Sequence, residues 1–279
     1  MKPKAFYYER PASLEEAGTL LSEQGVFSKV VAGSQSLGPM LNLRLAQPDL
    51  LIDVTGIPEM TLVEADRNSV NIGACITHAN IEDGRIEDPS RGLLAKVAGG
   101  IAYRAVRNRG TIGGSLAHAD PAADWISVLP LLDAELVVCS PRGTRIIAAG
   151  DLMVSSFTTT LESDELIQSV RVPKLSSLAR WGFCKFCQKA GEFAHAIGAV
   201  LHDPEREVFR AVIGAIESPP IVIADAAKLF SGKSDADFAT EIDEEMIRSL
   251  LSDQNITDIY LRKLSFVALK RAALEACAT

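Results

Sequence analysis

The chain has 279 residues, an apolar fraction of 47% and a formal net charge of −8, which is enough length for one large domain or two ordinary ones around a well-filled core. An acidic balance excludes nonspecific nucleic-acid binding, which needs a basic face to neutralise phosphates. The first ten residues carry charges but no apolar h-region, and no apolar stretch is long enough to span a bilayer, so the expected location is the cytoplasm.

In chain order, Ser13-Leu14-Glu15-Glu16 has the form of a capping box and opens a helix with apolar positions at Leu14, Ala17, Leu20 and Leu21. Lys29–Ala32 reads as a strand that runs straight into a glycine turn, and a helical or irregular piece follows to Pro48. Leu50–Val54 and Val70–Ala74 read as buried strands, Thr77–Ile81 opens a helix, and Gly92–Ile101 is a helix of small apolar residues. A second glycine turn comes next. Asp124–Leu132 is helical, Ala134–Ser140 and Thr144–Ala148 form a hairpin about Pro141-Arg142-Gly143, and Leu166–Val172 is a strand. After Ser176-Ser177 strands dominate, at Trp181–Gln188, Ala194–His202 and Phe209–Ile216. From Ala224 the chain is helical, ending in a helix over Thr257–Ala276 whose apolar side carries Ile259, Leu264, Val267, Ala268 and Leu274. A domain boundary is expected near residues 173–178.

The cysteines, Cys75, Cys139, Cys184, Cys187 and Cys277, are odd in number and scattered, which does not suggest a disulfide framework. Cys184 and Cys187 have CxxC spacing without a second pair. Packed cysteines on a strand are expected there, and an iron–sulfur cluster held by this chain alone is not. His78, His195 and His202 show no metal spacing. Gly232-Lys233-Ser234 lacks the upstream glycine of a P-loop and reads as a helix C-cap and turn.

The two glycine turns carry the most information. The first is Ala32-Gly33-Ser34-Gln35-Ser36-Leu37-Gly38, and the second is Gly110-Thr111-Ile112-Gly113-Gly114-Ser115-Leu116. Glycines let backbone amides approach an anion with no Cβ in the way. Alone, each turn is equally well a plain strand-to-helix connection. Arg104, Arg107 and Arg109 before the second turn suit an anionic ligand, and His118-Ala119-Asp120-Pro121-Ala122-Ala123-Asp124 follows it. Together they suggest a long diphosphate ligand gripped from two sides.

Ala32–Met40 resembles the first FAD motif of the molybdenum hydroxylases, and Arg107–Leu116 with Ala119–Asp124 resembles their second. Lys185-Phe186-Cys187-Gln188-Lys189-Ala190-Gly191-Glu192-Phe193-Ala194 and the closing Tyr260-Leu261-Arg262-Lys263-Leu264 extend the likeness over nearly the whole chain. The chain is thus similar to the medium, FAD-binding subunit of xanthine dehydrogenase or carbon monoxide dehydrogenase type enzymes. The resemblance implies an α+β fold: a PCMH-type FAD-binding domain at 1–175, in subdomains 1–56 and 57–175, then a small C-terminal α/β domain of antiparallel sheet and helices at 176–279. It implies FAD on this chain, [2Fe–2S] clusters on a small partner subunit and molybdopterin on a large one, in an (αβγ)2 assembly.

Carried over residue by residue, the resemblance has Ala32, Gly33, Ser34, Gln35, Ser36 and Leu37 wrap the pyrophosphate. Thr111, Gly113, Gly114 and Ser115 form a second wall, with Ser115 standing where the family usually has Asn. Asp124 accepts from ribityl or ribose hydroxyls, or else serves as a helix N-cap. Ile112 presses an apolar side chain on the flavin. Ile101 and Leu161 pack against the cofactor, with core packing the alternative. His118 lies close enough to touch it. Lys185 would stand near the N1/C2 edge of the flavin, where a cation favours the reduced ring; a solvated strand lysine is the alternative. Glu192 before Phe193 replaces the family's usual Asp. No side-chain nucleophile is expected. Two rival readings remain: a stand-alone flavoenzyme similar to the UDP-N-acetylmuramate reductases, and a two-domain binding protein whose glycine turns are structural.

Overall fold

The computed structural model describes residues 2–231 and 238–278; Gly232-Lys233-Ser234 lies outside the described residues. The chain begins with β1 (Tyr7–Glu9), α1 (Leu14–Leu21), β2 (Ser28–Val31), α2 (Leu37–Asn42) and β3 (Leu50–Asp53). These strands form a parallel sheet in the order β1-β3-β2. Ser13 caps α1 by accepting from the Glu16 amide, while the Glu16 carboxylate accepts from the Ala12 amide. Because β2 is an edge strand, the glycine turn at its end is unpaired on one side.

The chain continues through β4 (Val63–Ala65), β5 (Ser69–Gly73), α3 (His78–Glu82), α4 (Leu93–Gly99), α5 (Arg104–Arg107), α6 (Ile112–His118), α7 (Asp124–Leu131), β6 (Glu135–Ser140), β7 (Gly143–Ala148), β8 (Met153–Ser155), β9 (Thr158–Thr159) and β10 (Leu166–Pro173). An antiparallel sheet runs β4-β5-β10-β6-β7, with β8 and β9 as a separate short hairpin. Every residue of α7 is buried, as its nearly unbroken apolar run requires, and Trp125 and Leu129 lie at its centre.

A third sheet is the meander β11 (Arg180–Phe186), β12 (Ala196–Asp203), β13 (Val208–Gly214) and β14 (Ile221–Ile223), antiparallel throughout. It is followed by α8 (Glu244–Asp253) and α9 (Ile259–Ala278). The closing helix is rotated from the expected face, although Ala268 is buried as expected. Ile259 is 83% and Leu274 48% exposed, and the buried side is Ser265, Ala268, Leu269, Ala272, Ala273 and Ala276. Close approach explains the rotation. A Cβ on Gly182 of β11 would lie 1.9 Å from the Ala272 carbonyl, and one on Gly198 of β12 would lie 2.3 Å from the Leu269 amide. A row of small residues on α9 sits directly on strand glycines, which a row of leucines would not permit. The main hydrophobic core runs from Leu50 and Ile72 through Trp125 and Leu129 to Ile197 and Val212. It joins the third sheet to the second through α7, whose last carbonyls, Pro130 and Leu131, accept from Arg210 of β13.

Candidate functional site

A cleft of about 550 Å3 lies between the two glycine turns, floored by β2 and the β5–α3 connection and closed by the β11–β12 hairpin. The volume is in the range of ordinary cofactor sites. It is lined by Ala32 to Leu37, by Ile101, by Thr111 and Gly113 to Ser115, and by His118, Asp124, Leu161 and Lys185. Ile112 does not line it.

The first turn is a cradle of free donors. Ser34 takes a left-handed backbone conformation (φ 59), and the Gly33 carbonyl accepts from the Gln35 side chain at 2.9 Å. The amides of Ala32, Gly33, Ser34, Gln35, Ser36 and Leu37 have no acceptor among the described residues. Six successive amides without a protein acceptor, on residues that line a cleft, suit an anion-binding nest. Gly33 is required by contact. Its missing Cβ would lie 2.0 Å from the Arg109 carbonyl and 2.8 Å from the Gly110 Cα, so the two glycine turns meet backbone to backbone.

The second turn differs from the expected second anion grip. Ile112 donates to Ile76, Gly113 to Ala74, Gly114 to the Thr111 hydroxyl at 3.1 Å and Ser115 to the Thr111 carbonyl. Of this run only the Thr111 amide lacks an acceptor among the described residues. Its glycines instead serve close packing: a Cβ on Gly113 would lie 2.4 Å from that of Ala74. Ile112 is a further correction. Its side chain is fully buried in the main core, because the turn opens α6 and points its first residue inward.

The arginines before the turn are also reassigned. Arg104 forms ion pairs with Glu82 and Asp83, and Arg107 pairs with Glu82; they are held by carboxylates and do not line the cleft. Arg109 does not line it either.

At the far wall the Lys185 ammonium donates to Asp124 Oδ2 at 2.8 Å and to the Gly100 carbonyl at 3.3 Å. The pair is nearly dry, with side chains 11% and 5% exposed. Burial pushes the Asp124 carboxyl up, against the opposing pull of Lys185. Asp124 Oδ1 is buried with no hydrogen-bond partner. Asp124 is the first residue of α7, and the cap is Ala123, so its side chain is not spent on capping. An orphaned acceptor in a cleft fits a ligand hydroxyl. His118 packs tilted against Phe157, ring centroids 5.2 Å apart, and burial holds its pKa below the usual imidazole value. Ile101 and Leu161 are half-buried, packed on the core and lining the cleft at once.

No local pattern marks His78 as a site residue. It lines the cleft, its Nδ1 accepts from the buried Trp125 indole at 3.2 Å, and burial, with a lesser effect of Arg107, lowers its pKa to about 4. A neutral ring with Nδ1 accepting carries its proton on Nε2. Among the described residues no group of His, Cys, Asp or Glu is placed to hold a metal ion, and no helix is long and apolar enough to cross a membrane.

Residues 4–175 match the family described as the FAD binding domain in molybdopterin dehydrogenase. The chain belongs to this family. It is 34% identical over 283 residues to the nicotine 6-hydroxylase medium subunit of Paenarthrobacter nicotinovorans, covering 99% of both chains. It is 37% identical to the carbon monoxide dehydrogenase medium chain of Hydrogenophaga pseudoflava over 72% of this chain and 70% of that one. Among solved structures, a chain of carbon monoxide dehydrogenase from Hydrogenophaga pseudoflava superposes with a TM-score of 0.85 at 30% identity, over 100% of this chain and 99% of that one. A chain of quinoline 2-oxidoreductase from Pseudomonas putida 86 gives 0.83 at 29%, over the same shares. The fold is therefore the α+β, PCMH-type FAD fold, and the chain is an FAD-binding oxidoreductase subunit of the molybdenum hydroxylase family. Its polar groups fit that cofactor: free amides to donate to a diphosphate and an orphaned carboxylate oxygen to accept from a polyol hydroxyl.

Proposed function

We propose that this chain is the electron-transfer subunit of a cytoplasmic heterotrimeric molybdenum hydroxylase. It would take electrons from [2Fe–2S] clusters on a small subunit and deliver them to an external acceptor, with a large molybdopterin subunit oxidising the substrate, in an (αβγ)2 assembly. The observation that carries the proposal is the cleft itself, in which six free amides lie on one wall and the buried Asp124–Lys185 pair on the other. End-to-end likeness to a medium subunit supports it. FAD, when bound, supplies two-electron redox chemistry.

The chain's own residues supply binding and field. The amides of Ala32 to Leu37 would hold the diphosphate, each charge-assisted contact contributing about 1.5–3 kcal/mol before desolvation. Thr111, Gly113, Gly114 and Ser115 would wall the other side, with the Thr111 amide and Ser115 hydroxyl as donors. Asp124 Oδ1 would accept from a ribityl hydroxyl, and Lys185 would set a positive field at the ring edge. Ile101 and Leu161 would exclude water, and His118 would border the cofactor. A domain division at residue 175, with subdomains meeting at 56, fits the family match ending there.

The test is to purify the full chain, record its visible spectrum and titrate it with FAD, then co-express it with its neighbouring small- and large-subunit genes. A flavin spectrum and a three-chain complex containing iron and molybdenum are expected. A chain that binds no FAD refutes the reading. A chain that binds FAD, forms no complex and turns over alone supports the stand-alone flavoenzyme instead.

A further inference from the structure

Three successive carbonyls shortly before α5, those of Gly100, Ile101 and Ala102, are all held by cations. The Gly100 carbonyl accepts from Lys185, and those of Ile101 and Ala102 accept from one Arg107 Nη1, at 3.0 and 2.9 Å. The rest of the guanidinium is spent on Glu82 of α3, with Nε donating to Oε2 at 2.8 Å and Nη2 to Oε1 at 2.9 Å. Arg107 therefore clamps two backbone carbonyls and a carboxylate with one planar group, and its side chain is only 12% exposed. Glu82 is held in turn by Arg104, which also forks onto Asp83.

The segment being clamped needs it. Ala102 has φ 42, a left-handed conformation that an alanine does not favour. Ile101 and Ala102 line the cleft. The Ala102 carbonyl lies where a Cβ on Gly191 would come within 2.9 Å, so the segment is also the seat of the β11–β12 hairpin that closes the site. Neither Arg107 nor Glu82 lines the cleft.

We infer that Arg107 and Glu82 form a positioning clamp that holds the cleft-lining residues Ile101 and Ala102, with Ala102 in its left-handed conformation, and so fixes the wall against which the FAD of the proposed function binds. The inference rests on that function. The clamp acts through backbone carbonyls, and a lysine cannot replace it, because an ammonium lacks the fork that reaches a carboxylate and two carbonyls together.

The test uses the full chain with R107K, R107A, E82Q and R104A variants. Each is titrated with FAD well below its melting temperature, and the visible circular dichroism of the bound flavin is recorded. We expect R107K and R107A to weaken FAD binding about tenfold or more and to change the flavin dichroism. E82Q should fall between them and wild type. R104A, which lacks contact with the segment, should lose stability without losing affinity. Affinities for R107K and R107A within about threefold of wild type, with unchanged dichroism, overturn the clamp. An equal loss in R104A also overturns it, since the effect is then general destabilisation. If R107A does not fold, R107K decides. Failure of the wild-type chain to bind FAD would refute the functional proposal instead, so the two failures are distinguishable.

Discussion

Gly33→Ala tests the meeting of the two glycine turns most directly. The added Cβ would stand 2.0 Å from the Arg109 carbonyl oxygen, whereas ordinary contact begins at 3.4 Å, so the turns would have to part by well over an ångström. Neither side yields easily. The Gly110 carbonyl accepts from His78, and the Gly110 amide donates to Val106. Overpacking against backbone costs about 1–3 kcal/mol, which for a chain of this size lowers Tm by roughly 2–12 °C. The same displacement takes the amides of the first turn about 1 Å away from the opposite wall, and hydrogen bonds stretched by that much are lost. Losing two charge-assisted contacts weakens FAD binding by at least about a hundredfold. The assay is thermal unfolding of the FAD-free chain together with an FAD titration. Gly150→Ala serves as the control, since its Cβ would meet Pro130 at an ordinary 3.8 Å. A Gly33→Ala protein that melts and binds FAD like Gly150→Ala would refute the contact and the cradle together.

Other substitutions probe other parts of the site. Gly114→Val places a branched side chain against the Thr111 hydroxyl, 2.8 Å from its Cβ; FAD occupancy should fall while far-ultraviolet circular dichroism is kept, and full occupancy would show the turn to be structural. Lys185→Met leaves Asp124 buried without its cation, a loss of about 3–5 kcal/mol at neutral pH. Because the Asp124 carboxyl is already raised by burial, the loss in denaturant stability should shrink as pH falls and the carboxyl is neutralised. His78 gives the opposite slope. Its pKa lies below the unfolded value, near 4 rather than 6.5, so its contribution is complete above pH 6.5 and is lost as pH falls toward 4, about 3 kcal/mol in all. His78→Gln should flatten the stability profile in that window. Asp203→Ala removes the carboxylate that accepts from the Ser176 amide and hydroxyl, and should cost about 1–3 kcal/mol in chemical denaturation.

Which parts of this structure were legible in the sequence follows from the range of the forces involved. Strands with dense apolar runs, such as Leu50–Asp53 and Leu166–Pro173, were readable because burial on both faces dictates composition. The exposed three-residue strand Tyr7–Glu9 was not, since all three side chains are exposed and pairing with β3 alone makes it a strand. The glycine turns were visible as motifs, but their inequality was not. Whether an amide is free depends on partners such as Ala74, Ile76 and Val106, which no local pattern identifies. Arg104 and Arg107 pointed to an anion in sequence; Glu82 and Asp83, more than twenty residues upstream, are the anions. The face of α9 departs in part from the expected one, which shares Ala268 with it, for a related reason. Hydrophobicity favoured Ile259 and Leu274, yet closeness to Gly182 and Gly198 favoured the alanines.

The unequal turns also suggest how binding and folding are joined. The second turn is stable by itself, with its amides satisfied internally and Gly113 wedged on Ala74. The first is packed against Arg109 and Gly110 and tied by the Gln35–Gly33 and Gly38–Ser34 bonds, but keeps a row of amides that no group among the described residues meets. A ligand that satisfies those amides stabilises the state in which the parallel sheet is held against the rest of the fold, and it stabilises that state by mass action. Hydrogen exchange in the FAD-free chain should therefore be fastest across Ala32–Leu37 and slow markedly on adding FAD, while Ile112–Ser115 should be protected in both states. Equal protection of the two turns before FAD is added would mean that the first turn has found acceptors of its own, and the case for a preformed cradle would fail.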